Sequence, residues 1–218
     1  MLYIRKIGCP VLRTACSVIW KIVSIKQGKG SDIKIMKMRW NGLTSSDLKW
    51  IAIISMLVDH FAVAIYANTA DCQFDIYRAM RGIGRIAFPI YCFLLVEGFY
   101  HTHDVKRYIS RCFLFAVISE VPFDLAIHGT WFYPKGQNVF FTLAIGLCTL
   151  YAICACERRG MSIVSSALCV LIGAGTAQLL ETDYHYLGVL CIVLFYYLGR
   201  FDKAPRAIIG SVAVGIVE

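Results

Sequence analysis

The chain reads as an all-α, polytopic transmembrane helical bundle, and three observations predict it. Apolar runs of near-bilayer length alternate with short polar segments. Of 218 residues, 58% are hydrophobic and only 17% charged, and the mean hydropathy of +0.64 exceeds what a soluble core can use. Positive charges gather in the N-terminal segment and the short loops, where they orient spans, rather than in a groove. A net charge of +8 so placed excludes nucleic acid as a partner and makes the lipid bilayer the expected one.

Residues 1–37 hold an irregular apolar stretch broken by Arg13 and Lys21, too short and too charged for a span and without a small-residue cleavage site. A basic arm is expected there, on the surface or disordered, and alternatively a start-site extension, since Met36 and Met38 precede the organised region 38–218. Thr44 or Ser45 with Asp47 offers capping chemistry for the first helix. That helix, LKWIAIISMLVDHFAVAIY over 48–66, is long enough to cross the membrane yet keeps Asp59 and His60, which cost at least ~2–3 kcal/mol there unless partnered. Lys49 lies eleven positions before His60, within about 20° of the same face and roughly 16 Å along it.

A polar segment, NTADCQFD, leads to a second span over 83–100, with Arg78, Arg81 and Arg85 sharing a face where it begins. The loop 101–108 precedes a third span over 109–127, which carries Glu120, Pro122 and Asp124. An aromatic-rich turn follows, then spans over 138–156, 161–180 and 187–198, and an incomplete seventh over 207–217. Ten cysteines, most of them inside apolar runs (Cys92, Cys112, Cys148, Cys154, Cys169, Cys191) and none in a CxxC pair, read as small buried hydrophobes rather than disulfides or metal ligands. No metal is expected.

Charge gives the orientation. Lys106 and Arg107, Arg158 and Arg159, and Arg200, Lys203 and Arg206 mark alternate loops together with the basic N-terminus, which makes the N-terminus cytoplasmic and the protein a multi-pass component of the inner or plasma membrane. The exception is the Arg78, Arg81 and Arg85 set, which falls on the outer side. There, Asp59 and His60, Arg81 and Arg85, Glu120 and Asp124, and Gln137 and Asn138 are expected at one depth, with the carboxylates neutralising the guanidinium groups. The plainer reading, ion pairs that only clamp helices, stands beside it. His60 is the candidate acid–base group because imidazole titrates near neutrality, against a plain helix–helix hydrogen bond. Glu97 has two readings of equal standing, a pair with Arg107 or Arg111 and a role in the chemistry, and His101 with His103 is a weak metal signal.

IAIISMLVDH, RGIGRIAFPIYCFLLVEGF followed by His101 and Thr102, RYISRCFLFAVISEVPFDLA and QNVFFTLAIGL together resemble the TraX family, named for the conjugation protein required for N-terminal acetylation of F-pilin. The resemblance covers about residues 43–200. It implies an integral-membrane acyltransferase with acetyl-CoA as donor and an envelope acceptor at the outer face, a pilin N-terminus or a glycan. The first span is also similar to that of wider membrane acyltransferases, in which an arginine stands eleven positions before a histidine; here that position is Lys49. In this reading Lys49, Arg107 and Arg111 hold the donor's phosphates. His60, oriented by Asp59, is general base or acyl carrier, Arg81 or Arg85 stabilises the oxyanion, and Glu120 and Asp124 position those arginines. A small-solute transporter and a non-catalytic assembly factor are the alternatives; a transporter is expected to show repeated halves.

Overall fold

A computed structural model describes residues 45–69 and 72–200. The expected basic arm, the Thr44 cap and the incomplete seventh span lie outside them. Among the described residues the protein is all-helical: α1 Ser45–Ala64, a 3₁₀ turn Tyr66–Asn68, α2 Phe74–Gly84, α3 Ala87–His101, α4 Val105–Ile127, α5 Val139–Arg158, α6 Ile163–Leu179 and α7 His185–Arg200. The segments Ser45–Asn68, Phe74–His101 and Val139–Arg158 are each long and apolar enough to cross a membrane, and Ile163–Leu179 and His185–Gly199 are shorter apolar helices. The helical membrane-protein class expected from the sequence is therefore what the chain adopts.

Two boundaries differ from expectation. The second span is two helices, with a break at Arg85 and Ile86, and α2 begins nine residues earlier than the apolar run. Pro89 explains the break: it has no N–H to give the Arg85 carbonyl four residues back, and its ring would clash with that carbonyl, so Pro89 is tolerated only in the first turn of a new helix. The loop between α3 and α4 shrinks to residues 102–104, because Asp104 caps α4 by accepting from the Arg107 backbone N–H at 3.0 Å.

The described residues divide into two compact units, 45–91 and 92–200. In the first, α1 packs on α2. Leu48, Ala52, Ser55 and Ala62 form the buried stripe of α1, while Trp50, Ile54, Leu57 and Phe61 are exposed, as suits a lipid-facing surface. In the second unit α5 is central, packing on α4, α6 and α7. Leu143, Leu147, Leu150 and Ile153 supply its buried face. Close approach relies on small residues: a Cβ on Gly146 would strike Ile192, and one on Gly173 would strike Thr149.

Candidate functional site

In the first unit, Asp59 on α1 faces the last turn of α2. Arg81 Nη1 donates to Asp59 Oδ2 at 2.5 Å, and His60 and Arg85 both interact electrostatically with the same carboxylate. Ser55 Oγ donates to the Ile83 carbonyl one turn away, a short contact between the two helices. Gly84 is what permits this approach, since a Cβ there would overlap Asp59 Cβ, Cγ and Oδ1. Asp59 Oδ1 is buried and accepts no hydrogen bond, His60 is half-buried and Arg85 exposed. The result is a carboxylate, a guanidinium and an imidazole gathered late in an apolar helix.

The remaining arginine of α2 is used locally: the Arg78 guanidinium sits 5.5 Å from the centroid of the Phe74 ring. Lys49 lies ten residues before Asp59 on the same helix, exposed at its beginning. The unbroken helix over Ser45–Ala64 keeps the lysine and His60 near one side, as their spacing predicts.

In the second unit, Glu120 and Asp124 share the inward face of α4 and are almost wholly buried. Both organise the 128–138 loop. Glu120 Oε2 accepts from Asn138 Nδ2 at 2.5 Å and from the Asn138 backbone N–H at 3.2 Å. Asn138 Nδ2 also donates to the Ala116 carbonyl at 2.8 Å, while its Oδ1 caps α5 by accepting from Phe140 N at 2.9 Å. Asp124 Oδ2 accepts from the Tyr133 backbone N–H at 2.7 Å. Gly129 and Gly136, with φ of 66° and 97°, make the turns between these anchors in a region that only glycine adopts freely. Glu120 Oε1 and Asp124 Oδ1 remain buried without a hydrogen bond.

Each predicted site residue thus has a definite place. Asp59, His60, Arg81 and Arg85 come together in the first unit. Glu120 and Asp124 come together in the second, where Asn138 and the Tyr133 N–H are their donors. Arg107 and Arg111 stand exposed on the first two turns of α4, nine or more residues before Glu120 and so roughly 13 Å or more along the helix from it. The carboxylate bridged to Arg107 is Asp104, at 3.5 Å, and not Glu97, one of the partners considered for it.

Sequence reasoning missed three contributors. Ser55 and Gly84 gave no signal, because a serine and a glycine in apolar runs are ordinary. His128, in the aromatic-rich turn by sequence, is the C-cap of α4 and stacks on Tyr133 with ring centroids 4.1 Å apart. Its signal was available: Glu120, Asp124 and His128 recur every four residues, and His128 interacts electrostatically with Glu120. Among the described residues no three His, Cys, Asp or Glu side chains gather as metal donors.

A family model described as TraX protein matches residues 44–217. The chain is 36% identical over 110 residues to the "probable fimbrial assembly protein FimC, serogroup H1" of Dichelobacter nodosus, covering 47% of this chain and 43% of that protein. It is 29% identical over 106 residues to an uncharacterized protein of Rickettsia prowazekii (strain Madrid E), covering 48% of this chain and 35% of that one. The matches thus span less than half the length of either relative. No solved structure matches.

Proposed function

The chain belongs to the TraX family, and from that premise we propose that it is a pilus-related, multi-pass inner-membrane acetyltransferase, N-terminus in the cytoplasm, acting on an envelope acceptor such as a pilin N-terminus. The observation that carries the reading is the Asp59–Arg81 pair beside His60, an acid–base group and a cation held at one end of an apolar helix. An envelope glycan hydroxyl fits the same chemistry as acceptor.

Acetyl-CoA as donor fits the exposed cations. Arg107 and Arg111, one turn apart on α4, and Lys49 at the start of α1 are free of burial and suit phosphate oxygens. When bound, the donor supplies an acyl thioester, whose carbon–sulfur bond breaks as the carbon–nitrogen bond to the acceptor forms and whose sulfur takes up a proton. His60 receives the proton that the acceptor amine sheds. Arg81, with one N–H spent on Asp59 and further donors remaining on the guanidinium, supplies positive charge for the oxyanion. Asp59 holds Arg81 in place and stands next to His60 in the chain.

Purified protein in proteoliposomes, given radiolabelled acetyl-CoA and a peptide with a free N-terminal amine, tests the proposal. Label transfer is expected, with His60→Ala lowering it by about 100-fold or more at equal membrane levels. Full transfer by His60→Ala would dismiss that residue as the base. A second reading, a non-catalytic assembly factor, is favoured by the use of Glu120 and Asp124 as loop anchors; it requires His60→Ala to support piliation fully. Solute uptake without any acyl donor would instead indicate a transporter.

A further inference from the structure

The cysteines of the second unit are not scattered fillers. Cys92 on α3 interacts electrostatically with Cys191 on α7, and Cys112 on α4 with Cys148 on α5. Cys156 on α5 stands opposite Cys169 on α6 with their sulfurs 3.8 Å apart. The first pair is sealed in the core. The third differs in access: both of its residues are partly exposed, and they lie near the α5–α6 turn, Cys156 two residues before the end of α5 and Cys169 in the second turn of α6.

We propose that Cys156 and Cys169 form a reversible dithiol–disulfide site that joins α5 to α6 when it meets a peroxide or a small-molecule disulfide. A disulfide needs its sulfurs at about 2.05 Å, so 3.8 Å is closed by side-chain rotation and a small helix shift. With hydrogen peroxide, one thiol is oxidised to a sulfenic acid as the O–O bond breaks and one water leaves. The second thiol then attacks that sulfur, the S–S bond forms and a second water leaves. With oxidised glutathione, two exchange steps release two molecules of reduced glutathione.

The bond has a structural consequence within this unit. Cys154 and Glu157, which flank Cys156 on the last turns of α5, hold the Tyr196 hydroxyl at 3.0 and 3.4 Å, and Tyr196 in turn stacks on Tyr100 with centroids 5.5 Å apart. Oxidation fixes the turn on which that aromatic contact rests.

The test uses the full chain in detergent. Folded protein is treated with hydrogen peroxide or oxidised glutathione, blocked with iodoacetamide and digested with trypsin, which cuts after Lys135, Arg158, Arg159 and Arg200 and so separates the two cysteines. A disulfide-linked pair of peptides 136–158 and 160–200 is expected, forming ahead of any other linkage because its sulfurs already stand 3.8 Å apart at partly exposed positions, and reversed by dithiothreitol. Cys156→Ser and Cys169→Ser should each abolish it, and Cys154→Ser should leave it. Persistence of the link in Cys156→Ser, or its absence while other cysteines oxidise, overturns the proposal. If the serine variants fail to accumulate, fragmentation of the wild-type linked peptides locates the two sulfurs and decides the matter. The readout is independent of acyl transfer.

Discussion

Asp59 on α1 and Arg81 on α2 form an ion pair at 2.5 Å between side chains that are 20% and 34% exposed. An apolar helix can keep a carboxylate because the guanidinium comes from the neighbouring helix of the same unit. The pair also leaves Asp59 Oδ1 without a donor, so its removal and its rupture have different effects.

Rupture is the costlier of the two. Arg81→Met strands Asp59, and Asp59→Leu strands a half-buried guanidinium. Breaking a fully buried pair costs ~3–5 kcal/mol and partial exposure lowers this, so each single change is expected to destabilise by about 2 kcal/mol. The Asp59→Leu, Arg81→Met double variant should recover more than half of the summed loss, because no charge is left stranded. Thermal denaturation in detergent reads the cycle; strictly additive losses would mean that the two groups do not act together.

Gly84 sets the distance at which that pair forms. Gly84→Val adds a side chain where Asp59 Cβ, Cγ and Oδ1 already lie, and overpacking of this kind costs ~1–3 kcal/mol. The same push separates Ser55 from the Ile83 carbonyl, which it now meets. Gly82, whose Cβ position is open, is the control. Gly82→Ala should leave both the melting temperature and any activity near wild type, whereas Gly84→Val should lower both.

The sequence made the helical class legible because a bilayer forces apolar runs of fixed length, and such runs survive any change of detail. It also made Asp59, Arg81, Glu120 and Asp124 legible as residues needing partners, since a charge in an apolar run has few ways to persist. The partners were harder to see. Within its own unit Arg81 meets Asp59, and within theirs Glu120 and Asp124 meet an asparagine and backbone N–H groups. Backbone donors carry no residue signature, so loop anchoring leaves no trace in the sequence. The break at Arg85 was readable from Pro89 and was hidden by the apolar run around it.

Asn138 links the carboxylate of α4 to the first turn of α5. Asn138→Ala removes two side-chain donations, to Glu120 and Ala116, and the cap on Phe140. It leaves Glu120 with the backbone N–H alone, for an expected loss of roughly 2–3 kcal/mol. Lys135 lies inside the anchored loop, so limited trypsin digestion reports the release directly. Cleavage after Lys135 should quicken in Asn138→Ala and stay slow in Glu120→Gln, which keeps an oxygen to accept from Asn138. Equal cleavage rates in wild type and Asn138→Ala would show that the loop is held by other means.

Cys72 gives the orientation a native probe. It is exposed and lies between α1 and α2, in the segment that the charge bias assigns to the outer side. A membrane-impermeant maleimide applied to intact cells, with the outer membrane opened where there is one, should label Cys72. Cys72→Ser should abolish that labelling, while the Cys156 and Cys169 pair near the Arg158–Arg159 turn should react only after the inner membrane is permeabilised. Labelling of Cys72 only after permeabilisation would invert the assignment. It would put Asp59 and His60 at the cytoplasmic end of α1, away from any acceptor in the envelope, and would remove the transfer reaction's access to its substrate.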